Sequence, residues 1–477
     1  MIGSWRLSMR SRVFSIAAVV LLTPVVALSA QSSDTTASAA TTSGGVTLTV
    51  EQAVSRARTN QPLIQQALAA VEAARARIGE AQSQYYPTVN GTGSYNRLSP
   101  QSFSIASVLP PQLSLTALGV TPNSPLAGLL GAPLSLVPLN NWNFGLGLNQ
   151  VVTQFGKRDV QVKLAESGLA AARIGVDEVT TSISYQAVQI FYSALFLQQE
   201  GKELDAQYEN LQQHLQAILV REQTGSATRL DDLSTQVRMA TLQSQRTDVE
   251  SQFQNQIIAL KQLTGLDQST ELALSGSLEP GPAPAEDASL VGSALQKRPD
   301  LRQAAEAERA AELNQRLATM GTMPTVSAHA SMGYETGILP DINTPAFNWV
   351  AGVDVSVPIF QGFFWARSQD EAGRKVEEAK KNTTAAQLNA TTQVLQAAQA
   401  VRSARQQVQI STGALDQARQ MVEVAKIQYD VGVISNLEYL DAQTALEMAD
   451  VSNLAAMFKE VLSEYALRQA VGEALSE

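Results

Sequence analysis

An internal duplication is the feature that most constrains this chain of 477 residues. The tripeptide Pro-Thr-Val at 87–89 recurs 237 positions later at 324–326, and Gly225 recurs 207 positions later as Gly432. The offset falls because the first copy carries thirty additional residues ahead of Gly156. A repeat of this length is a duplicated half of a domain, since solenoid repeats have periods of about 20–50 residues.

The duplication predicts a first repeat at 47–274, a linker at 275–286 and a second repeat at 287–477, and the residues before them predict a signal peptide at 1–30 and a flexible leader at 31–46. The elements expected in the first repeat are helices within 50–84, a strand at about 88–97, an extracellular loop at 98–140, a strand at about 141–151, and helices at 158–223 and 228–264. Those expected in the second repeat are helices within 287–322, strands at about 325–335 and 347–357, and helices at 363–430 and 436–471.

The N-terminus is typical of an exported protein. Arg6, Arg10 and Arg12 precede an apolar run at 13–28, and Ala30 ends a small-residue cleavage site. An uncleaved membrane anchor is the alternative. The absence of cysteine excludes an N-terminal lipid anchor and disulfide bonds. A net charge of −10 without a basic cluster argues against nucleic acid as a partner.

Four segments alternate apolar and polar residues over about ten positions, which is typical of strands with one apolar and one wet face. An aromatic residue lies at the loop end of each segment: Tyr95, Trp142, Tyr334 and Trp349. Placed side by side at one level, these residues predict the aromatic ring of a membrane barrel in contact with outer-membrane lipid. A soluble sandwich remains an alternative because its strands also have one apolar face.

Four strands are too few to close a membrane barrel, since the smallest barrels have about eight. An open edge in lipid leaves backbone groups unpaired, at a cost of several kcal/mol each. Copies of the chain must therefore share one barrel. Two copies would supply eight strands and three would supply twelve, and the residues alone do not choose between these numbers.

The predicted helices are unusually long. No proline occurs between Pro138 and Pro280 or after Pro358, so 158–223 and 363–430 are each expected to form one helix of about 100 Å. The returning helices of about 55 Å and the early helices of about 35 Å together approach this length. We therefore expect a tall wall in which two short helices lie alongside each long one.

Each long helix ends at a glycine suited to a left-handed C-cap, Gly225 or Gly432. The returning helices start at Thr228 and Ser435, and Asp231 and Glu438 stand three residues later, as in a capping box. Capping alone accounts for both acids. Because these tips are distant from the strands, a symmetric assembly would also gather the acids into a ring at its far mouth.

The segment Asp430-Val-Gly-Val-Ile-Ser-Asn-Leu-Glu-Tyr-Leu-Asp-Ala-Gln443 resembles the second hairpin tip of the TolC-like outer-membrane efflux proteins. The segment 225–236 resembles the first tip, the strand exits Gln154-Phe-Gly156 and Pro358-Ile-Phe-Gln-Gly362 fit the same family, and the resemblance extends from about Leu48 to Gly472. Within this family, the chain resembles the non-lipidated members.

The resemblance implies a mainly helical homotrimer whose twelve-stranded β-barrel in the outer membrane of a Gram-negative bacterium continues into a periplasmic α-helical barrel. It implies a passive exit duct of a tripartite efflux or type I secretion system, with a periplasmic adaptor and an inner-membrane pump of the RND, ABC or MFS type as partners. No cofactor is implied.

The resemblance also assigns a periplasmic gate to Tyr429, Glu438 and Asp441, together with Asp231 of the first hairpin. The basic residue familiar two positions after the second tip glycine is Ile434 here, so Arg229 is expected to substitute in the salt bridge. The residues expected at the hairpin tips, where the adaptor docks, are Gly225, Thr228, Leu230, Gly432, Ser435 and Leu437.

Two other functional classes remain as alternatives to a channel. A soluble periplasmic coiled-coil scaffold would use the strands as an ordinary sandwich, and an exported hydrolase would use paired carboxylates. The sequence supports enzymatic or metal chemistry poorly, because His214 and His329 have no companion at ligand spacing and no G-x-S-x-G motif occurs. The sequence predicts a channel rather than an enzyme.

Overall fold

The computed structural model describes residues 46–99, 119–121, 123–131, 138–279, 281, 285–338 and 343–473. The expected signal peptide, all of the leader except Val46, and much of the loop at 98–140 lie outside these residues. Within this part of the chain, no helix has a stretch that is both long and apolar enough to cross a bilayer.

Helices dominate both repeats. The first contains β1 Val46–Leu48, α1 Val50–Asn60, α2 Pro62–Ser83, β2 Thr88–Arg97, α3 Pro125–Gly131, β3 Asn140–Thr153, α4 Lys157–Gln223, α5 Arg229–Thr264 and β4 Leu272–Leu274. The second contains α6 Asp287–Lys297, α7 Pro299–Thr319, a 3₁₀ turn at Met320–Thr322, β5 Thr325–Glu335, β6 Ala346–Ser356, α8 Phe364–Asp430 and α9 Asn436–Val471. Both long helices have 67 residues and both returning helices have 36, so the duplication is conserved in length.

Proline explains why the early helices are broken in two. Pro62 and Pro299 each occupy the first turn of a helix, where their missing N–H costs nothing. The residues before them, Gln61 and Arg298, are extended because proline disfavours the helical conformation of its predecessor. Both breaks fall at matching places in the two repeats.

The four long strands form one antiparallel sheet in the order β2–β3–β5–β6. The register pairs Val89 with Leu148, Leu148 with Ala330, and Ala330 with Ala351. Apolar residues therefore share one face across all four strands, while asparagine, serine, threonine and glycine dominate the other. Within the described chain, β2 and β6 each have one edge with no strand beside it.

Each long helix is lined by two shorter ones from its own repeat. α2 and α5 pack along α4, and α7 and α9 pack along α8. Leu204, Leu211 and Ile218 of α4 are all buried at intervals of seven residues, as a coiled-coil seam requires. The two repeats meet at α4 of the first repeat, against which both α7 and α9 of the second repeat pack.

The largest apolar cluster lies near the middle of α4. Phe191 is fully buried there against α1, α9 and the short parallel sheet formed by β1 and β4. This small sheet was not predicted from the sequence. The predicted linker at 275–286 is anchored to the helices, because Leu278 is buried and Arg405 Nη2 donates to the carbonyl of Gly281 at 2.8 Å.

The two ends of the second hairpin offer a matched pair of glycine substitutions. Gly432 and Gly472 both have positive φ, so Gly432→Ala and Gly472→Ala should each cost about 1–2 kcal/mol in backbone strain. A Cβ at Gly432 meets no atom within 4 Å, whereas one at Gly472 lies 3.0 Å from backbone atoms of Arg298. Overpacking should add about 1–3 kcal/mol at Gly472 only. The midpoint of thermal unfolding, followed by circular dichroism, should therefore be clearly lower for Gly472→Ala than for Gly432→Ala. Equal midpoints would contradict this packing.

Candidate gate at the helix-hairpin tips

Capping boxes define both hairpin tips. Beyond the turn after α4, Thr228 N donates to Asp231 Oδ2 at 2.8 Å; beyond the turn after α8, Ser435 N donates to Glu438 Oε2 at 2.7 Å. The turns themselves contain Gly225 and Gly432, at φ +74° and +77°. The local sequence therefore builds both tips without help from tertiary contacts.

The two acids of the second tip remain open to solvent. Glu438 is exposed, and the hydrogen bonds that it accepts from Ser435 lower the pKa of its carboxyl group. Asp441 is also exposed and stands one helical turn later, so both carboxylates can lie on one face of α9. Asp231 is half-buried, and its carboxylate accepts the hydrogen bond from Thr228 N that caps α5.

The ion pair between the hairpins uses a different arginine from the one expected. The guanidinium of Arg229 contacts Asp232, which is buried on the same helix. Arg221 of α4 instead reaches the second hairpin, with Nη2 2.9 Å from Asp430 Oδ1 and the guanidinium 4.9 Å from the centre of the Tyr429 ring. The side chain of Arg221 therefore makes both an ion pair and a cation–π contact with the second hairpin.

Tyr429 lies in an aromatic cluster rather than free in solvent. Its ring centre is 5.2 Å from that of His214 and 5.4 Å from that of Tyr439, and His214 lies 4.7 Å from Tyr439. Burial raises the pKa of both tyrosines. The cluster joins α4 of the first hairpin to both helices of the second.

A buried asparagine completes the junction. Asn436 Oδ1 lies 2.8 Å from His214 Nε2, and Asn436 Nδ2 contacts Asp231 O at 3.2 Å and two hydroxyl oxygens of α5, those of Ser234 and Thr235. Because the amide nitrogen faces acceptors, Oδ1 is the acceptor for His214 and Nε2 carries the proton. One side chain of α9 is therefore hydrogen-bonded to both helices of the first hairpin.

The surroundings of His214 favour its neutral form. Burial lowers the pKa of His214 below its usual value, and the nearby guanidinium of Arg221 lowers it further. The hydrogen bond with Asn436 and the carboxylates of Asp430 and Asp231 oppose this shift. The ring also borders a cavity of about 390 Å³, and the charged residues lining that cavity are Arg238, Lys426, Asp430 and Glu447.

The predicted docking residues lie at the ends of the hairpins. Leu230 is 73% exposed and Leu437 62%, and Val431 and Val433 beside the second turn are each 70% exposed. Thr228 and Ser435 are the two N-caps. The tips therefore present apolar side chains to solvent around turns that are rigidly capped.

The predicted interface aromatics share one face of the sheet but do not lie in one register row. Tyr95 pairs directly with Trp142, whereas Tyr334 pairs with Phe347, and Trp349 pairs with Met332. The four aromatics therefore form a staggered line in the register, which is compatible with the predicted ring at one level. Strands of membrane barrels tilt by about 35–45°, so a ring at constant depth must step along the register.

Sequence reasoning missed His214, Arg221 and Asn436. His214 and Arg221 are seven residues apart and lie beside the buried seam of α4, which is the signal that would have placed them on one helix face. Asn436 gave no such signal, because its partners are more than two hundred residues away.

The junction should loosen in acid because His214 is held neutral. Its folded-state pKa is lowered, so its contribution to stability is present above about pH 6.5 and is lost as the pH falls toward the folded-state value. Hydrogen exchange of the tips should therefore accelerate between about pH 7 and pH 5 in the wild-type protein, relative to His214→Gln at the same pH. The glutamine amide can still donate to Asn436 but cannot titrate. Parallel behaviour of the two proteins would contradict a role for His214 charge.

Comparison with known proteins shows which family the chain belongs to. A family model described as outer membrane efflux protein matches residues 53–266 and 290–473. The solvent efflux pump outer membrane protein SrpC of Pseudomonas putida is 24% identical over 249 residues, which cover 52% of this chain and 53% of SrpC. The chain therefore spans about half the length of that curated relative.

Solved structures share the fold at low identity. The Campylobacter jejuni CmeC outer membrane channel has a TM-score of 0.70 at 20% identity, covering 90% of this chain and 87% of that one. A membrane protein from Pseudomonas aeruginosa has a TM-score of 0.71 at 20% identity, covering 89% and 93%. The two matched segments of the family model correspond to the two repeats, and together they account for most of the sequence. The chain belongs to the outer membrane efflux protein family.

Proposed function

We propose that this protein is the outer-membrane exit duct of a tripartite efflux or type I secretion system in a Gram-negative bacterium. It conducts substrates passively from a periplasmic adaptor and an inner-membrane pump to the exterior, and it does no chemistry of its own. The observation that carries the proposal is a sheet with one largely apolar face and, within the described chain, two unpaired edges, joined directly to two helices of 67 residues.

The barrel is proposed to form from three copies. Each copy supplies β2, β3, β5 and β6, and β6 of one copy pairs with β2 of the next, which leaves no open edge in lipid. Twelve strands suit a channel whose wet face lines the lumen, and the resemblance to TolC-like proteins supports three copies over two. The apolar face then contacts outer-membrane lipid, and the staggered aromatics lie at its outer interface.

The helices are proposed to form a tunnel across the periplasm. At a rise of 1.5 Å per residue, α4 and α8 are each about 100 Å long. Two long helices and two stacked pairs of shorter ones per copy give a twelve-helix wall. The buried seven-residue seam of α4 supports packing of this kind.

The tips are proposed to be the gate. Three copies of Glu438 and Asp441 place six carboxylates around the mouth, a field that attracts cations. Asp231 adds to this field from the first hairpin. The contact of Arg221 with Asp430 and Tyr429 supports a latch between the hairpins, with Arg221 in the role first expected of Arg229.

The adaptor is proposed to dock where the tips expose Leu230 and Leu437, close to the caps Thr228 and Ser435. The pump, of the RND, ABC or MFS type, supplies the energy. Relatives are named for efflux of solvents and toluene and for export of pyoverdine, which are chemically dissimilar cargoes. This diversity supports a duct whose cargo is chosen by its partners. Family membership weighs against the soluble scaffold.

Conductance in planar bilayers tests both the channel and its latch. Arg221→Ala removes an ion pair and a cation–π contact worth together about 1–2 kcal/mol per copy, so the open probability should rise about tenfold. Arg75→Ala removes an equal charge from an exposed pair with Glu72 within one helix, so it should leave the open probability unchanged. Wild-type protein that forms no pore would contradict the channel, and equal effects of the two variants would contradict the latch.

A further inference from the structure

The wet face of the sheet carries very few ionisable groups, and two of them form a pair. His329 Nδ1 on β5 lies 2.7 Å from Asp354 Oδ2 on β6. The other ionisable residue on this face of the described strands is Glu335, which is at the loop end and bonded to Asn348. The pair is therefore the main electrostatic feature between the two ends of an otherwise neutral surface.

A glycine makes this pair possible. His329 is registered directly opposite Gly352, and a Cβ at Gly352 would lie 2.8 Å from Cε1 and 3.0 Å from Nε2 of the imidazole. The ring therefore lies flat across the neighbouring strand at a position that only glycine leaves open. From there it reaches Asp354, two residues further along the same face.

Stability does not explain the arrangement. Asp354 is 63% exposed and His329 is 35% exposed, and even a fully charged pair at such a surface contributes only about 0–1 kcal/mol. A glycine inside a strand weakens that strand. The pair and its glycine therefore add little to the stability of the sheet.

The register places the pair in a row that crosses the whole sheet. Thr88 pairs with Asn149, Asn149 with His329, and His329 with Gly352. Thr88 is the first residue of β2 and directly follows the α2 segment, so the row lies toward the helix end of the sheet. In a closed barrel the row would become part of a continuous belt around the lumen.

We propose that the His329–Asp354 pair, held over Gly352, tunes the preference of the exit channel for small cations over small anions, in addition to the carboxylates at the gate. The inference rests on the proposed barrel, with the wet face directed inward. Three copies place three Asp354 carboxylates in one belt, each hydrogen-bonded to an imidazole. Cations are favoured in the belt by the carboxylate field, and the hydrogen bond that His329 Nδ1 donates to Asp354 moderates that preference.

Reversal potentials across a KCl gradient in planar bilayers test the proposal. Asp354→Asn should lower the ratio of cation to anion permeability about twofold, because it removes the carboxylate but keeps the side-chain shape. His329→Gln should raise the ratio by a similar factor. Gly352→Ala should act like His329→Gln although it changes no charge, because the new methyl group displaces the ring from Asp354.

Gly147→Ala is the matched control on the same face. A Cβ at Gly147 meets only Asn90 O, at 4.0 Å, so this variant should conduct as the wild type does. The differences among variants should appear in about 0.1 M salt, where the Debye length is about 10 Å, and shrink in about 1 M salt, where it is about 3 Å.

The outcomes separate this inference from the function on which it rests. Conducting pores with the predicted order of permeability ratios would support the proposal. Conducting pores whose ratios are equal in wild type, Asp354→Asn and His329→Gln would overturn it and leave the channel intact. Wild-type protein without pores would remove the proposed function, and this inference with it.

Discussion

Backbone hydrogen bonding at the edges of one small sheet governs the rest of this molecule. One face of the sheet is largely apolar, but β2 and β6 each leave a row of N–H and C=O groups without a strand partner in the described part of the chain. Water can satisfy such groups and lipid cannot, so an apolar sheet of this kind is stable in a membrane only when other copies pair with its edges. Once the strands are shared, the helices that continue from them must also assemble side by side. In the proposed assembly, the symmetry that closes the barrel would also arrange the long helices into a hollow wall.

The duplication accounts for the two similar helix hairpins, and the residues that differ between the copies form the contacts between the hairpin tips. Both hairpins have glycine turns and capping boxes, so each tip is rigid on its own. The contacts that join the tips are asymmetric: His214 and Arg221 come from the first copy, and Tyr429, Asp430 and Asn436 from the second. The second copy has no histidine at the place equivalent to His214, where Met421 stands at the 207-residue offset. The contacts between the tips therefore require one hairpin from each copy, because each copy contributes residues that the other lacks.

Local signals predicted the parts of this structure that local interactions determine. The long helices correspond to the proline-free segments, and Asp231 and Glu438 occupy the caps that their spacing indicated. The partners of Arg221 and Asn436 could not be predicted, because they depend on how two helices separated by about two hundred residues are rotated against each other. The short strands β1 and β4 have three residues each, too few for a periodic pattern, and their pairing is also non-local. The stagger of Tyr334 and Trp349 depends on strand register, which alternation alone does not determine.

The central claim is that the free edges of the sheet are paired between copies, and hydrogen exchange of the protein reconstituted in lipid nanodiscs tests it most directly. The backbone amides of β2 and β6 should be as strongly protected as those of β3 and β5, because every strand then has two neighbours. Rapid exchange along the outward edges of β2 and β6, with protection confined to the interior strands, would contradict the account.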